Sequence, residues 1–146
     1  RLGTNARMTE LQAALGLSQL KRCDEMRDSR AILATIYSPL LTDVAGVDRP
    51  DWPTTRSAWH LYPIRIKNGR RDAVKAKLNA QGIGAQVHYN PIVPLHPYYR
   101  KRFGYKPGDF PNAEAWAAEE LSLPLHAGMN ESDVERVVKA LREALL

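Results

Sequence analysis

The sequence predicts a two-layer α+β domain in which short strands are covered on one face by helices. Two observations lead to this fold class. Helical and extended patterns alternate along residues 41–146, and amphipathic helical patterns open and close the chain. The 146 residues are 44% apolar, which is enough for one domain with a buried core. We therefore expect an α+β unit over 41–146, preceded by a helical region over 1–40.

The first element is predicted to be one long helix between Thr9 and Pro39. Thr9 and Gln12 have the spacing of a capping box, which starts a helix, and Pro39 stops it. Such a long helix suits an element that bridges two domains or lines a subunit interface. Cys23 is expected to be a small buried residue on its apolar face. The rest of that face is formed by Leu11, Ala13, Ala14, Leu15, Leu17, Leu20 and Met26.

A loop and a first strand are predicted next. Residues 42–57 contain Gly, Pro and several short polar side chains, a composition typical of loops. Residues 58–67 are rich in aromatic and β-branched side chains, which favours a strand. Because Pro63 has no N–H to donate, we expect this strand at a sheet edge or at a bulge.

The middle of the chain is predicted to contain a short helix over 71–81. Gly82 follows it at the position where a left-handed residue closes a helix. A second strand is predicted over 85–89. The segment 91–111 has too many prolines for regular structure, although 98–103 has local helical potential.

The last third of the chain is predicted to contain two helices with a third short strand between them. The first helix covers 112–121 and the strand covers 122–125. Asn130 and Asp133 have the residue types and spacing of caps for the final helix. Its apolar stripe is formed by Val134, Val137, Val138, Leu141 and Leu145.

Charge and composition argue against several classes of function. The formal net charge is +5, but the basic residues are dispersed and not interleaved with glycines and aromatics, so we expect no nucleic-acid partner. The chain has no apolar run long enough to span a membrane and no signal segment, which indicates a cytoplasmic protein with no membrane partner. A single cysteine excludes an internal disulfide.

Candidate binding residues lie at the ends of the predicted elements. Asn5 and Arg7 precede the first helix, whose N-terminus favours an anion because the helix dipole and the free amides act together. A turn residue and a surface cation are the alternatives for these two positions. Side chains that either contact a ligand or simply pack are His60, Tyr62, His88, Tyr89 and His96.

No metal site and no complete catalytic apparatus is predicted. None of the four histidines pairs with another at helical spacing, so a metal site would need ligands from distant loops. Glu119 and Glu120 adjoin a predicted helix, where a solvated surface or a cap is the simplest interpretation.

Five motifs that occur in order along the chain carry a family resemblance. They are Gly3-x-Asn5-x-Arg7-Met8-Thr9-Glu10-Leu11-Gln12, Ser57-Ala58-Trp59-His60-Leu61-Tyr62-Pro63, Gly82-Ile83-Gly84-Ala85-Gln86-Val87-His88-Tyr89, Pro97-Tyr98-Tyr99-Arg100 and Leu121-Ser122-Leu123-Pro124-Leu125-His126. Together they closely resemble the C-terminal portion of the DegT/DnrJ/EryC1/StrS family, the nucleotide-sugar aminotransferases that depend on pyridoxal 5'-phosphate (PLP).

The resemblance implies the small C-terminal domain of a fold-type I PLP-dependent transferase. Such a domain has a long N-terminal helix and a short, mainly antiparallel sheet covered by helices, and the enzyme is a homodimer with active sites between subunits. Asn5 matches the family asparagine that reaches the cofactor phosphate of the neighbouring subunit, and Arg7 matches the adjacent arginine. The predicted contacts to the nucleotide-sugar substrate are His60, His88, Tyr89 and His96.

The activity implied by the resemblance is transfer of an amino group from glutamate, the expected amino donor, to a nucleotide-linked keto-deoxy sugar. The residues of the motifs most resemble those of enzymes that aminate a UDP-linked 4-keto-6-deoxy hexosamine. The family places its Schiff-base lysine in a preceding large domain, and the motifs of that domain do not occur here. We therefore expect residues 1–146 to be the C-terminal domain of a longer enzyme and to be inactive alone. The alternative is a non-catalytic dimerisation or ligand-binding module that retained the scaffold.

Overall fold

The computed structural model describes residues 6–146, which form six helices and three short strands. In chain order the elements are α1 (Glu10–Leu20), α2 (Cys23–Leu40), β1 (Val47–Asp48), β2 (Tyr62–Ile66), α3 (Arg71–Ala80), α4 (Pro97–Phe103), α5 (Pro111–Glu119), β3 (Glu120–Leu123) and α6 (Glu131–Ala144). A 3₁₀ turn covers Val93–Leu95. The predicted α+β class is confirmed, and each predicted helix after the first has a counterpart.

The three strands form one antiparallel sheet in the order β1-β2-β3. Side chains of a strand alternate between the two faces of a sheet. On one face lie buried apolar residues of β2 and β3, whereas Pro63, Arg65, Glu120 and Ser122 share the other face. The sheet therefore has an apolar face towards the core and a second face that carries its polar side chains.

The apolar face of the sheet packs into a core formed with α2, α3 and α6. Tyr37 of α2 stacks on Tyr62 with 4.7 Å between ring centroids, and its hydroxyl donates to the carbonyl oxygen of Pro124 at 2.9 Å. Burial raises the pKa of Tyr37, which keeps this hydroxyl protonated as a donor. The other large, fully buried apolar side chains of the core are Leu41, Ile64, Ile66, Val74, Leu78, Leu121, Val134 and Leu141. Residues 6–146 alone bury these side chains, so this core closes within the described part of the chain.

The prediction of one long first helix is wrong. A turn at Lys21 and Arg22 separates α1 from α2, and these residues include no Gly or Pro that could have signalled it. No side chain of α1 is buried, and Cys23 is also exposed, because nothing in the described chain packs on this part. The apolar face expected for this helix exists in the sequence but has no partner among residues 6–146. Helix α2 ends one residue beyond Pro39, which lies inside its last turn.

Two strand predictions also need correction. Residues 85–89 do not form a strand, because only Gln86 pairs, through one antiparallel bridge to Ser122. Conversely, β1 lies within the segment 42–57 that was predicted to be loop. A strand of two residues is too short to produce an alternating pattern, so the sequence could not reveal it.

Pro63 lies in the central strand of the sheet and not at the predicted edge or bulge. Its neighbour in β3 is Ser122, which exchanges both of its backbone hydrogen bonds with Gln86 on the opposite side. Pro63 and Ser122 are therefore a non-hydrogen-bonded pair, and the backbone of Pro63 points towards β1. Because β1 pairs only as far as Arg65, no ladder hydrogen bond is lost at Pro63.

Helix α5 passes directly into β3 with no residue between them. The buried guanidinium of Arg71, at the start of α3, donates through Nη1 to the carbonyl oxygens of Ala117 and Glu120, each at 3.1 Å. These two bonds fix the end of the helix to the start of the strand. The predicted helix over 112–121 was too long by two residues, because Glu120 and Leu121 already belong to the sheet.

The caps predicted for α3 and α6 are confirmed. Gly82 follows α3 with a φ of +73°, a left-handed value that favours glycine. Asn130 and Asp133 form a reciprocal capping box at the start of α6, as Thr9 and Gln12 do for α1. None of the helices in the described range is both long and apolar enough to cross a membrane.

Candidate functional site

A groove lies between helix α5 and the loop that follows α3. It has a volume of about 360 Å³ and is lined by His88, Tyr89, Ile92, Val93, Ala113, Trp116 and Ala117. Helix α5 provides one wall and the 3₁₀ turn with its preceding loop provides the other. The groove therefore combines apolar walls with a small number of polar groups, as small-molecule sites commonly do.

His88 is anchored to the polar face of the sheet. Its Nδ1 lies 3.0 Å from Ser122 Oγ, and its backbone N–H donates to Glu120 Oε2 at 2.6 Å. The Ser122 hydroxyl in turn donates to Glu120 Oε1 at 2.6 Å. These bonds hold the imidazole against β3 while the ring lines the groove.

The interpretation of Glu120 as a solvated or capping carboxylate is wrong. Its side chain is 1% exposed, because it is the first residue of β3 and turns under the loop that carries His88. Both carboxylate oxygens accept hydrogen bonds, which offsets the cost of burying the group.

Tyr89 is the second predicted contact that the structure brings into the groove. Its ring is 69% exposed and meets the His88 ring edge-on, with 5.0 Å between centroids. His60 and His96 are exposed, but neither is among the side chains that line this groove. Two of the four predicted substrate contacts therefore lie together.

The predicted anion site is only partly described. Arg7 is exposed and precedes Thr9, the N-cap of α1. Asn5 lies outside the described residues. The structure therefore leaves the interpretation of both residues as cofactor contacts untested.

A cluster of four charged side chains joins β1, β2 and α5 beside the groove. Glu119 Oε2 lies 2.6 Å from an Arg65 nitrogen and 3.0 Å from Lys67 Nζ, which also lies 2.7 Å from Asp48. The hydrogen bond from Lys67, and then the interactions with Arg65, lower the pKa of Glu119. Hydrogen bonds to Asp48 and then to Glu119 raise the pKa of Lys67. Both shifts favour the charged forms of Glu119 and Lys67.

Trp116 connects this charged cluster to the groove. The guanidinium of Arg65 lies over its ring, 5.5 Å from the centroid, and the same ring lines both the groove and a second cleft of about 530 Å³. The second cleft contains Asp48, Arg49, Asp51 and Arg65, so its charges are of both signs. Within residues 6–146, no three His, Cys, Asp or Glu side chains are grouped so as to hold a metal ion.

Comparison with known proteins identifies the family. Residues 1–142 match the model of the DegT/DnrJ/EryC1/StrS aminotransferase family. The chain belongs to this family. The match covers all five motifs and every element up to the last turn of α6.

Similar DegT-family proteins act in polysaccharide and sugar biosynthesis. The spore coat polysaccharide biosynthesis protein SpsC of Bacillus subtilis is 42% identical over 97% of this chain and 38% of its own length. The structure of DesV from S. venezuelae has a TM-score of 0.88 at 35% identity, over 97% of this chain and 38% of DesV. Helicobacter pylori PseC, an aminotransferase involved in pseudoaminic acid biosynthesis, has a TM-score of 0.87 at 30% identity, over 99% of this chain and 39% of PseC.

The DegT-family chain described here spans about 38% of the length of the curated relatives that it matches. It therefore corresponds to part of a protein of this aminotransferase family, and its α+β fold is that of the corresponding part of DesV and PseC.

Ser122, Glu120 and Trp116 line or support the groove, although sequence reasoning did not select them. A signal for the first two exists. In Glu120-Leu121-Ser122-Leu123 polar and apolar residues alternate, which indicates a strand with one polar face. That pattern predicts that Glu120 and Ser122 share a face, but not that His88 lies over it.

Proposed function

We propose that this chain is the C-terminal domain of a PLP-dependent aminotransferase that transfers an amino group from glutamate to a nucleotide-linked keto-deoxy sugar. The observation that carries the proposal is the family match over residues 1–142. The five sequence motifs favour a UDP-linked 4-keto-6-deoxy hexosamine as the substrate, and PseC, one of the similar structures, is involved in pseudoaminic acid biosynthesis. The enzyme is expected to be a cytoplasmic homodimer.

PLP, when bound, supplies the electron sink that lets an amino group pass between two carbon skeletons. The residues described here do not form a complete site for it. The groove is lined by no lysine, and Lys67 beside it is held by Asp48 and Glu119. By the family resemblance, the lysine that carries the cofactor belongs to a preceding large domain, which is why we expect residues 1–146 to be inactive alone.

Asn5 and Arg7 are the proposed contribution of this chain to cofactor binding. By the family resemblance, the Asn5 amide donates to the cofactor phosphate in the neighbouring subunit. Arg7, which is exposed beside the start of α1, adds a positive charge near that phosphate. The N-terminus of α1 also favours an anion, because its free N–H groups and the helix dipole attract negative charge.

The groove between α5 and the His88 loop is the proposed contact surface for the sugar nucleotide. His88 and Tyr89 offer polar groups to the hydroxyls, while Ile92 and Val93 offer apolar surface to the sugar ring. His60 and His96 are also proposed substrate contacts, and their exposure leaves them accessible to ligand from outside the groove.

The proposal is tested with the full-length enzyme that contains this chain and, in parallel, with residues 1–146 alone. We expect the full-length enzyme with PLP to form more than one equivalent of 2-oxoglutarate per active site only when the keto sugar nucleotide is present to accept the amino group, and the 146-residue chain to form none. Product formation is followed by a coupled assay for 2-oxoglutarate. If the reading frame upstream of Arg1 encodes no large domain with a cofactor lysine, the proposal fails and the dimerisation or binding module is favoured.

Two variants of the full-length enzyme separate the proposed roles. Asn5→Ala is expected to weaken PLP retention on dialysis, with little effect on sugar affinity. His88→Ala is expected to raise the KM for the sugar nucleotide about tenfold, the cost of roughly one hydrogen bond. His126→Ala is the matched control, because His126 does not line the groove. Equal effects of His88→Ala and His126→Ala would contradict the assignment of the groove.

A further inference from the structure

The side chains of Glu120, Ser122 and His88 form a continuous series of hydrogen bonds from the sheet to the groove. Glu120 and Ser122 are 1% and 3% exposed, and His88 connects them to the groove. Buried polar groups are costly unless each is hydrogen-bonded, and low dielectric strengthens the bonds that are made. The direction in which each bond donates therefore matters for what His88 can do.

The donor of each hydrogen bond in this series can be assigned, beginning at Glu120. A carboxylate only accepts, and Glu120 accepts from the Ser122 hydroxyl and from the His88 backbone N–H, both at 2.6 Å. The 2.6 Å distance from Ser122 Oγ is typical of a hydroxyl that donates to a carboxylate oxygen. Ser122 has one hydroxyl proton, which it donates to Glu120. Its oxygen can therefore only accept from His88 Nδ1, which lies 3.0 Å away.

A neutral imidazole that carries its proton on Nδ1 has an unprotonated Nε2. The Nε2 atom lies across the ring from Nδ1, and it has no hydrogen-bond partner within the part of the chain that the structure describes. The side of His88 that remains for a ligand is consequently a hydrogen-bond acceptor.

We propose that Glu120 and Ser122 are positioning residues that hold His88 in the Nδ1–H tautomer, so that Nε2 accepts a hydrogen bond from a hydroxyl group of the bound sugar. The identity of the ligand rests on the proposed function, whereas the tautomer is a property of this chain alone. The arrangement selects a hydroxyl at this position over a keto oxygen, because a carbonyl oxygen cannot donate to Nε2.

The tautomer is measured directly by long-range ¹H–¹⁵N NMR on the 146-residue chain, whose core closes within residues 6–146. At a pH where the rings are neutral, His88 is expected to show a protonated Nδ1 and an unprotonated Nε2. His126 is the internal control, because its Nδ1 accepts from the Gly128 N–H at 3.2 Å and its proton must be on Nε2. A spectrum in which His88 has its proton on Nε2, like His126, overturns the proposal.

Two variants test whether Ser122 and Glu120 cause the tautomer. Ser122→Ala removes the acceptor, and the His88 proton is expected to move to Nε2, which isolated imidazole side chains prefer. Glu120→Gln leaves one acceptor oxygen for two donors, so the preference for Nδ1–H should weaken. Circular dichroism checks that each variant is folded. If a variant does not fold, the NMR spectrum of the unmodified chain still decides which nitrogen of His88 carries the proton. Retention of Nδ1–H in folded Ser122→Ala contradicts the role of Ser122.

The role in binding is tested in the full-length enzyme. Ser122→Ala is expected to raise the KM for the sugar nucleotide about fivefold, the cost of one ordinary hydrogen bond, with an unchanged KM for glutamate. An unchanged KM for the sugar with an altered tautomer refutes Nε2 as a sugar contact. If the unmodified enzyme transfers no amino group to a keto sugar, the proposed function fails and the sugar fails as the ligand, while the NMR result still decides the tautomer.

Discussion

At the scale of single residues, Glu119 shows how a carboxylate near the surface can hold three elements together. It is the last residue of α5, and its partners are Arg65 on β2 and Lys67 directly after β2. Lys67 also binds Asp48 of β1. Glu119 is a quarter exposed, so its contribution to stability is reduced by solvent.

Replacing Glu119 should change how stability depends on pH. Because its pKa is lowered in the folded state, its contribution is present above the ordinary glutamate value of about 4.3 and is lost as pH falls through the lower, folded value. We expect Glu119→Gln to reduce the free energy of unfolding at pH 7 by at most about 1 kcal/mol. The loss should shrink towards pH 3. Urea unfolding at both pH values measures the difference.

Asp24→Asn is the matched control for this prediction. Asp24 pairs with Arg27 on the exposed surface of α2, with its own side chain 82% exposed. We expect no measurable change in unfolding free energy at either pH. A similar loss in both variants would show that the position of Glu119 between β2 and α5 has no special effect.

The sequence predicted some of the polar residues at the groove correctly and one of them wrongly. Tyr89 and His88 were found because they belong to a motif, and Glu120 was misinterpreted because its neighbour Glu119 suggested a helix surface. Burial of a carboxylate depends on what covers it, and here the cover is a loop more than thirty positions earlier in the chain. Local patterns do not contain that information.

At the scale of elements, the two capping boxes allow a direct comparison. The same reciprocal hydrogen bonds start α1 and α6, but α6 buries one apolar stripe in the core and α1 buries nothing. The caps were predicted because their chemistry is local, within four residues. The break between α1 and α2 was not, because no local breaker marks it.

We expect Asn130→Ala to reduce the free energy of unfolding of the 146-residue chain by about 1 kcal/mol, the usual cost of losing an N-cap. Thr9→Ala is expected to leave it unchanged, because α1 adds no packing to the folded core. Urea denaturation followed by the fluorescence of buried Trp59 measures both. Equal losses would show that α1 is coupled to the core in a way that its exposure does not reveal.

At the scale of the whole molecule, one apolar core connects α2, α3, α6 and the sheet, and α1 lies outside it. The α+β class and the order of elements followed from periodicity, because a core of this kind needs apolar stripes at regular spacing. The sheet was predicted less well. Its two-residue strand, its single Gln86 bridge and the central position of Pro63 all depend on pairing between distant segments.

This organisation predicts two levels of hydrogen-exchange protection in the 146-residue chain. Amides of β3 and α6 should exchange only through global unfolding, since both are enclosed by the core. Amides of α1 should exchange orders of magnitude faster, because its helical bonds face solvent on all sides. Residue-resolved exchange by NMR measures both classes. Protection of α1 at the level of α6 would contradict the description of α1 as unsupported by this chain.

The direct passage from α5 into β3 has a consequence for which changes of chain length the domain tolerates. Strand side chains alternate, so one residue added or removed between Glu119 and Glu120 would exchange the two faces of β3. Leu121 and Leu123 would then meet the groove, and Glu120 and Ser122 would enter the core. Arg71 would also lose the spacing of the two carbonyls it bridges. The mostly exposed turn at 104–109 connects two helices and sets no strand register, so natural length variation should accumulate there and avoid the junction.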